Sequence, residues 1–141
     1  VVATSAHSDA IARGGYVLSD VPAGQAARAV IIGTGSELQF ALQAQSLLAA
    51  EGLPVRVVSM PCTNVFDRQP AEYRDHVLPP KLPAVAVEAA QPDFWRKYVG
   101  RDGGVVGIAS FGESAPAADL YKHFGITAEH VAAEVRRCCV R

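Results

Sequence analysis

The 141-residue sequence is poor in charge and in long apolar runs. Charged residues make up 19% of the chain, the formal net charge is −1, and no basic cluster is present. Neither nucleic acid nor an anionic membrane surface is therefore expected as a partner. The longest apolar runs are far shorter than a membrane-spanning helix requires. Because half of the residues are hydrophobic, we expect one folded domain with a real core rather than a disordered chain.

Cysteine and histidine are both sparse. The three cysteines are an odd number without C-x-x-C spacing, which argues against a disulfide framework and a zinc site and favours a reducing, cytoplasmic environment. The adjacent Cys138 and Cys139 are predicted to be small buried groups on a helix. The histidines show no metal-ligand spacing; they are His7, His76, His123 and His130.

The first residues carry no recognisable targeting signal. The chain begins with Val1-Val2 instead of Met, and no positively charged start is followed by an apolar core. We therefore expect no secretory signal, and we expect either a processed chain or a piece of a longer one. Arg13-Gly14-Gly15 closes an entry segment.

The stretch around Gly33 predicts the fold class. Residues 29–33 form a short run of small and β-branched residues, typical of a strand buried on both faces. Gly33 and Gly35 allow a tight turn, and residues 37–51 then follow a helical period. Residues 55–59 supply a second strand, parallel to the first because a helix separates them. The chain is therefore predicted to be an α/β protein.

The same patterns predict the remaining elements. A strand at 16–19 must run antiparallel to 29–33, since about eight residues are too few for a helical crossover. Pro61 ends the second strand and begins a loop. The further predicted elements are strands at 84–88 and 105–108, and helices at 71–77, from 91 past Tyr98, at 115–124 with Ser114 as cap, and from Thr127 onward.

Several details of the helices also follow. In the 37–51 helix Ser36 is the expected N-cap and Gly52 the terminating residue. Thr127 is the expected N-cap of the last helix, with Ile126 and Val131 as a hydrophobic staple. The buried face of the first helix is predicted to comprise Phe40, Ala41, Ala44, Leu47 and Leu48.

The turn Gly33-Thr34-Gly35-Ser36 is the first candidate site. Its backbone amides and two hydroxyls could hold an anion at a helix N-terminus. It does not match a dinucleotide fingerprint, because Leu38 occupies the position that needs a small residue, and it lacks the Gly-Lys pair of a P-loop. Glycines that serve the turn geometry alone are the favoured interpretation, and anion binding is the alternative.

A second candidate site is the edge where the parallel strands end. Thr34, Ser59 and Glu88 follow or close three such strands, and α/β proteins place ligands at this edge. Glu88 could act as a base or ligand, but a helix cap or a pair across an interface is favoured. Trp95 and Tyr98, with Phe94, could form a sugar or base platform, although such aromatics more often anchor a helix. No catalytic set emerges from the residues.

Six blocks in order carry a resemblance to a known family. They are Arg13-Gly14-Gly15-Tyr16-Val17-Leu18, Gly33-Thr34-Gly35-Ser36-Glu37, Val57-Val58-Ser59-Met60-Pro61, Val85-Ala86-Val87-Glu88-Ala89, Lys97-Tyr98-Val99-Gly100 and Phe111-Gly112-Glu113-Ser114-Ala115-Pro116. In this order and spacing they resemble the C-terminal domain of bacterial transketolases. The match runs from about Arg13 to the end, which makes residues 1–12 an entry segment or linker and residues 13–141 the domain.

The resemblance implies a three-layer α/β/α fold whose five-stranded, mostly parallel sheet has its first strand antiparallel. It also implies a homodimeric parent enzyme that moves a two-carbon ketol unit from a ketose phosphate to an aldose phosphate. That parent uses thiamine diphosphate and a divalent metal, Mg or Ca, and it serves the pentose phosphate pathway or carbon fixation.

In that family the cofactor and the catalytic residues belong to the two preceding domains, and none of their motifs is present here. The resemblance therefore implies no catalytic, cofactor-binding or metal-binding residue in this chain, which is expected to be an inactive scaffold that supports the fold and the dimer. Two alternatives remain open. One is an anion- or nucleotide-sensing module at the carboxyl edge, and the other is the same domain from a related enzyme, such as dihydroxyacetone synthase or a sugar-phosphate synthase.

Overall fold

The structure is a computed structural model that describes residues 11–88, 95–100, 103–107 and 127–139, without the side chains of residues 36 and 88. Short runs of β-branched and small residues between turn residues form its five strands. They are β1 (Tyr16–Ser19), β2 (Ala29–Gly33), β3 (Val55–Ser59), β4 (Ala84–Glu88) and β5 (Gly104–Gly107).

Helices fill the connections between the strands. A single 3₁₀ turn, Gly35–Glu37, leads into the first of them. The α-helices are α1 (Leu38–Ala50), α2 (Thr63–Asp67), α3 (Ala71–Val77), α4 (Arg96–Val99) and α5 (Ala128–Cys139). Gly52, with φ of 81°, follows α1 as predicted, and the Thr127 hydroxyl accepts the His130 amide at 3.1 Å, which confirms the predicted cap of α5.

The strands form one sheet in the order β1-β3-β2-β4-β5. β2, β3, β4 and β5 are mutually parallel, and β1 runs antiparallel to β3 at the edge of the sheet. The β1–β3 register shifts between Val17 and Ser19, which marks a bulge or irregularity in that edge. The predicted α/β class and the mixed five-stranded sheet are confirmed.

Alternating residues along the strands divide the core into two layers. One side packs against α1 and α5, through residues that include Ile31, Leu48 and Val135. The opposite side packs against the three short helices, through residues that include Ile32 and Phe66. Because side chains alternate across a strand, consecutive residues 29–32 serve the two layers in turn.

Two sequence predictions, for Leu47 and for the residues after Pro61, differ from the structure. Leu47 is 40% exposed, whereas Ala41, Ala44 and Leu48 do form the buried face of α1. The predicted loop after Pro61 contains α2, which buries Phe66. The predicted 115–124 helix with its Ser114 cap, the start of the helix at 91 and the Ile126 staple lie outside the described residues.

Candidate functional site

The carboxyl ends of β2, β3 and β4 meet at one edge of the sheet, as predicted from their parallel order. Gly33 is in register with Ser59 on one side and with Val87 on the other. Ser59 is 4% exposed, and the Met60 amide extends the ladder by donating to the Gly33 carbonyl at 2.9 Å. The backbone thus brings Gly33, Ser59 and Glu88 to a common edge; the side chain of Glu88 lies outside the described set.

The turn after β2 differs from the prediction. Ser36 is not the N-cap of a helix, because it lies inside the 3₁₀ turn Gly35–Glu37, and α1 begins only at Leu38. Thr34 precedes the turn in an extended conformation without a side-chain cap bond. Gly35 has φ of 58°, which favours glycine, and this supports the geometric reason for the second glycine. Anion binding by Gly33, Thr34, Gly35 and Ser36 stays a prediction.

Glu37 is the charged residue of this turn and is only 6% exposed. Glu37 is thus a buried acidic residue within the turn that joins β2 to α1.

A polar cluster joins α2 to α4 within the layer of short helices. The Tyr98 hydroxyl lies 3.0 and 3.1 Å from the two Asp67 carboxylate oxygens, and the Lys97 ammonium lies 2.9 Å from one of them. Partial burial opposes ionisation of Asp67, but the hydrogen bonds from Lys97 and Tyr98 outweigh it and lower its pKa below the usual value. Tyr98 also packs on Trp95, with ring centroids 5.4 Å apart. This supports the anchoring role of the aromatics.

Open cavities lie at the opposite, amino edge of the sheet. One of about 760 Å³ lies between the 20–26 loop and the second half of α1, and one of about 540 Å³ lies beside Arg28, Lys81 and the two C-terminal cysteines. Two polar side chains at the first cavity already have protein partners. Gln45 donates to the Ser19 and Val55 carbonyls at 3.1 and 3.0 Å, and Asp20 pairs with Arg56 at 3.0 Å.

The two C-terminal cysteines behave as the sequence predicts. Cys138 is 5% exposed in the core, and Cys139 is partly buried beside it. Burial raises the pKa of the Cys139 thiol in spite of the neighbouring Arg28 charge, which disfavours the reactive thiolate. They are structural groups on α5.

Metal-ligating side chains do not cluster in the part of the chain that the structure describes. Among those residues no three His, Cys, Asp or Glu side chains stand close enough to hold a metal ion. Within the same residues, none of the helices has the length and apolar character needed to cross a bilayer.

The sheet topology and the carboxyl edge together define a class of protein. It is a three-layer α/β domain with a mixed sheet, an antiparallel edge strand and a glycine turn after β2. A family model described as the transketolase-like TK C-terminal domain matches residues 14–127. The chain belongs to that family.

Relatives and solved structures agree with this assignment. The chain is 57% identical over 126 residues to the plasmid transketolase of Cupriavidus necator, covering 89% of this chain and 18% of the relative. It is 52% identical over 128 residues to transketolase 2 of Escherichia coli, covering 90% of this chain and 19% of that protein. A transketolase structure from Leishmania mexicana superposes with a TM-score of 0.85 at 44% identity, covering 94% of this chain and 19% of that one. The chain thus spans about a fifth of the length of the relatives it matches.

Proposed function

We propose that this chain serves as the C-terminal domain of a transketolase and acts there as a scaffold outside the chemistry. The observation that carries the proposal is the family match over residues 14–127, together with similarity to about a fifth of full transketolases. The assembled enzyme transfers a two-carbon ketol group between ketose and aldose phosphates. Thiamine diphosphate and Mg or Ca are held by the two preceding domains, and the enzyme is a cytoplasmic homodimer of the pentose phosphate pathway or of carbon fixation.

The outer face of α1 supports a role in assembly. Residues 38–50 contain no charged side chain, although many of them are exposed. Leu42 and Leu47 on that helix are 36% and 40% exposed. Depletion of charge with exposed apolar residues is typical of surfaces that become covered. We expect this face to contact another part of the assembled enzyme.

A chimera tests the proposal directly. This chain replaces the matching segment of the Cupriavidus necator transketolase, and ketol transfer from a ketose phosphate to an aldose phosphate is measured. We expect an active dimer, because a scaffold domain of the same family should support the catalytic domains of its relative. A chimera that folds and dimerises but transfers no ketol group would contradict the assignment.

The expected inactivity of the separate chain has its own test. Purified chain is titrated with thiamine diphosphate and Mg²⁺ in a calorimeter at micromolar concentration. We expect no saturable heat, since the described residues offer no metal-ligand set. Saturable binding would overturn the scaffold interpretation even if the chimera were active.

We further propose that the edge marked by Ser59 and Glu88 faces the preceding domains. The support is the shared position of the Gly33, Ser59 and Glu88 backbones at one end of the sheet. In the chimera, Glu88→Gln should weaken subunit or domain association, whereas Asp75→Asn on an exposed part of α3 is the matched loss of a carboxyl group. Equal association of the Glu88→Gln chimera and its parent would contradict this placement.

The alternative role of the glycine turn, anion sensing, can be tested independently of the scaffold role. Titration of the chain with inorganic phosphate, followed by amide shifts of residues 33–36 in NMR spectra, tests it. Shifts that saturate would support an anion site, and unshifted amides at millimolar phosphate would exclude one.

A further inference from the structure

The segment that leads into β1 is bound to the domain before the strand begins. Gly14 and Gly15 are buried, although Arg13 next to them is exposed. The Gly14 carbonyl accepts the Cys62 amide at 2.9 Å, and the Gly15 carbonyl accepts the Tyr73 hydroxyl at 2.7 Å. Two successive carbonyls are therefore held from two different elements, the loop after β3 and helix α3.

The space around the two glycines admits only bare backbone. A Cβ on Gly14 would lie 2.3 Å from the Cys62 carbonyl oxygen and 2.5 Å from the Phe66 amide nitrogen, and Gly14 has φ of +83°. A Cβ on Gly15 would lie 2.4 Å from the Met60 sulfur. Since real Cβ atoms do not approach backbone so closely, the fit at Gly14 is specific to glycine, whereas a Cβ on Gly15 would require the buried Met60 side chain to shift.

Tyr73 contacts the segment a second time through its ring. The Arg13 guanidinium lies over that ring, 4.7 Å from its centroid, which is cation–π geometry. The ring itself meets Phe66 edge-on, with centroids 6.2 Å apart. One side chain of α3 thus holds Arg13 with its face and Gly15 with its hydroxyl.

We propose that Arg13, Gly14 and Gly15, held by Cys62 and Tyr73, form a clip that fixes the point and direction at which the chain enters this domain. Strand pairing alone would hold the chain only from Tyr16, which lies opposite Ser59 at the carboxyl edge. The clip extends the fixed part upstream by three residues, into the space next to that edge. If the proposed function holds, the clip makes the junction with the preceding domain rigid. The evidence for the clip is the set of contacts above and does not depend on that function.

Trypsin cleavage of the Arg13–Gly14 bond measures the opening of the clip in this 141-residue chain. Tyr73→Phe removes the hydrogen bond to the Gly15 carbonyl and keeps the ring. We expect cleavage after Arg13 to become roughly five- to tenfold faster, because proteolysis follows the population of the open segment. Cleavage after Arg56, inside β3, reports global unfolding in the same sample.

Asp75→Asn, an exposed change on the same helix, is the matched control and should leave both cleavage rates unchanged. An equal acceleration after Arg13 and Arg56 in Tyr73→Phe would mean global destabilisation and would overturn the clip. An unchanged rate after Arg13 would mean that strand pairing alone protects the segment, which also overturns it.

Hydrogen exchange of the Cys62 amide gives an independent readout. This amide donates to the Gly14 carbonyl, so its protection reports whether the segment is seated. Arg13→Ala removes the cation–π contact without altering the slot, and we expect roughly twofold to fivefold faster exchange at Cys62 with no change at Val57 in β3. If the Cys62 amide exchanges at the same rate in Arg13→Ala and in the unaltered chain, Arg13 does not help to hold the segment in place.

Discussion

The two helical layers of this domain are held to the same sheet in different ways. On one side α1 and α5 have 13 and 12 residues, and continuous buried stripes fix them to the strands and to each other. On the other side α2, α3 and α4 have five, seven and four residues. Helices this short are marginal without tertiary support.

The short-helix layer obtains that support from named polar contacts. Tyr73 bonds to Gly15, Asp67 bonds to Lys97 and Tyr98, and Arg96 donates to the Gly103 carbonyl at 2.7 Å. Both layers bury apolar side chains against the sheet, but the short helices depend in addition on individual hydrogen bonds. Changes in the long-helix layer should therefore act globally, and loss of a hydrogen bond in the short-helix layer should act first on local order.

The largest effect should come from the long-helix layer. Leu48→Ala removes a fully buried side chain between α1 and the sheet, and we expect a loss of about 3 kcal/mol in the free energy of unfolding. Leu47→Ala, next to it but 40% exposed, should cost less than about 1 kcal/mol. Urea denaturation followed by circular dichroism compares the two. Equal losses would contradict the packing of this layer.

A polar residue of α1 sharpens the comparison. Gln45 accepts from the Ser19 hydroxyl and donates to the Ser19 and Val55 carbonyls, joining α1 to two strands. Gln45→Leu should reduce the free energy of unfolding by about 1–2 kcal/mol, because buried polar groups lose their partners. Gln43→Leu on the exposed face is the control and should change little. If both variants unfold alike, the long-helix layer has no polar contribution at this site.

The short-helix layer should respond more weakly and more locally. Tyr98→Phe removes the hydroxyl bond to Asp67, and we expect a loss of about 1 kcal/mol. Hydrogen exchange should accelerate in α2 and α4 before any change in α1. Glu72→Gln, exposed on α3, controls for a change at the surface of this layer. Faster exchange in α1 and α4 together would show that the two layers are not separable.

The smallest effect concerns pH. Because the pKa of Asp67 is lowered in the folded state, its contribution is present above the ordinary aspartate pKa of about 4 and is lost as the pH falls through the lowered value. In the variant Asp67→Asn, the free energy of unfolding should therefore decrease less as the pH falls below about 4. The difference should be a few tenths of a kcal/mol at most, since the group is partly exposed. Chemical denaturation at pH 7 and pH 3 measures this. If the free energy of unfolding falls equally between pH 7 and pH 3 in Asp67→Asn and in the unaltered chain, Asp67 does not contribute to the loss of stability in acid.

Much of the fold could be predicted because local sequence and tertiary environment agree. The strands at Tyr16–Ser19 and Ala29–Gly33 were predicted to the residue, since each apolar run is bounded by turn residues. The Thr127 cap also needs only neighbours in sequence. The carboxyl edge followed from parallel strand order alone.

What could not be predicted depends on distant contacts. Helix α2 has a sequence, TNVFD, with weak helical propensity, and Phe66 within it packs beneath Gly15, some fifty residues earlier. Asp67 meets Lys97 and Tyr98 about thirty residues away. Ser36 failed as a cap because a 3₁₀ turn precedes α1, which the local sequence does not distinguish from a helical start.

The shifted register of β1 has a consequence for behaviour in concentrated solution. This outer strand has four residues, and the ladder that holds it is irregular between Val17 and Ser19. A strand from another molecule would find too few aligned amides and carbonyls there to polymerise by addition. Strand addition at the β1 edge should therefore be slower than at a longer, regular edge strand.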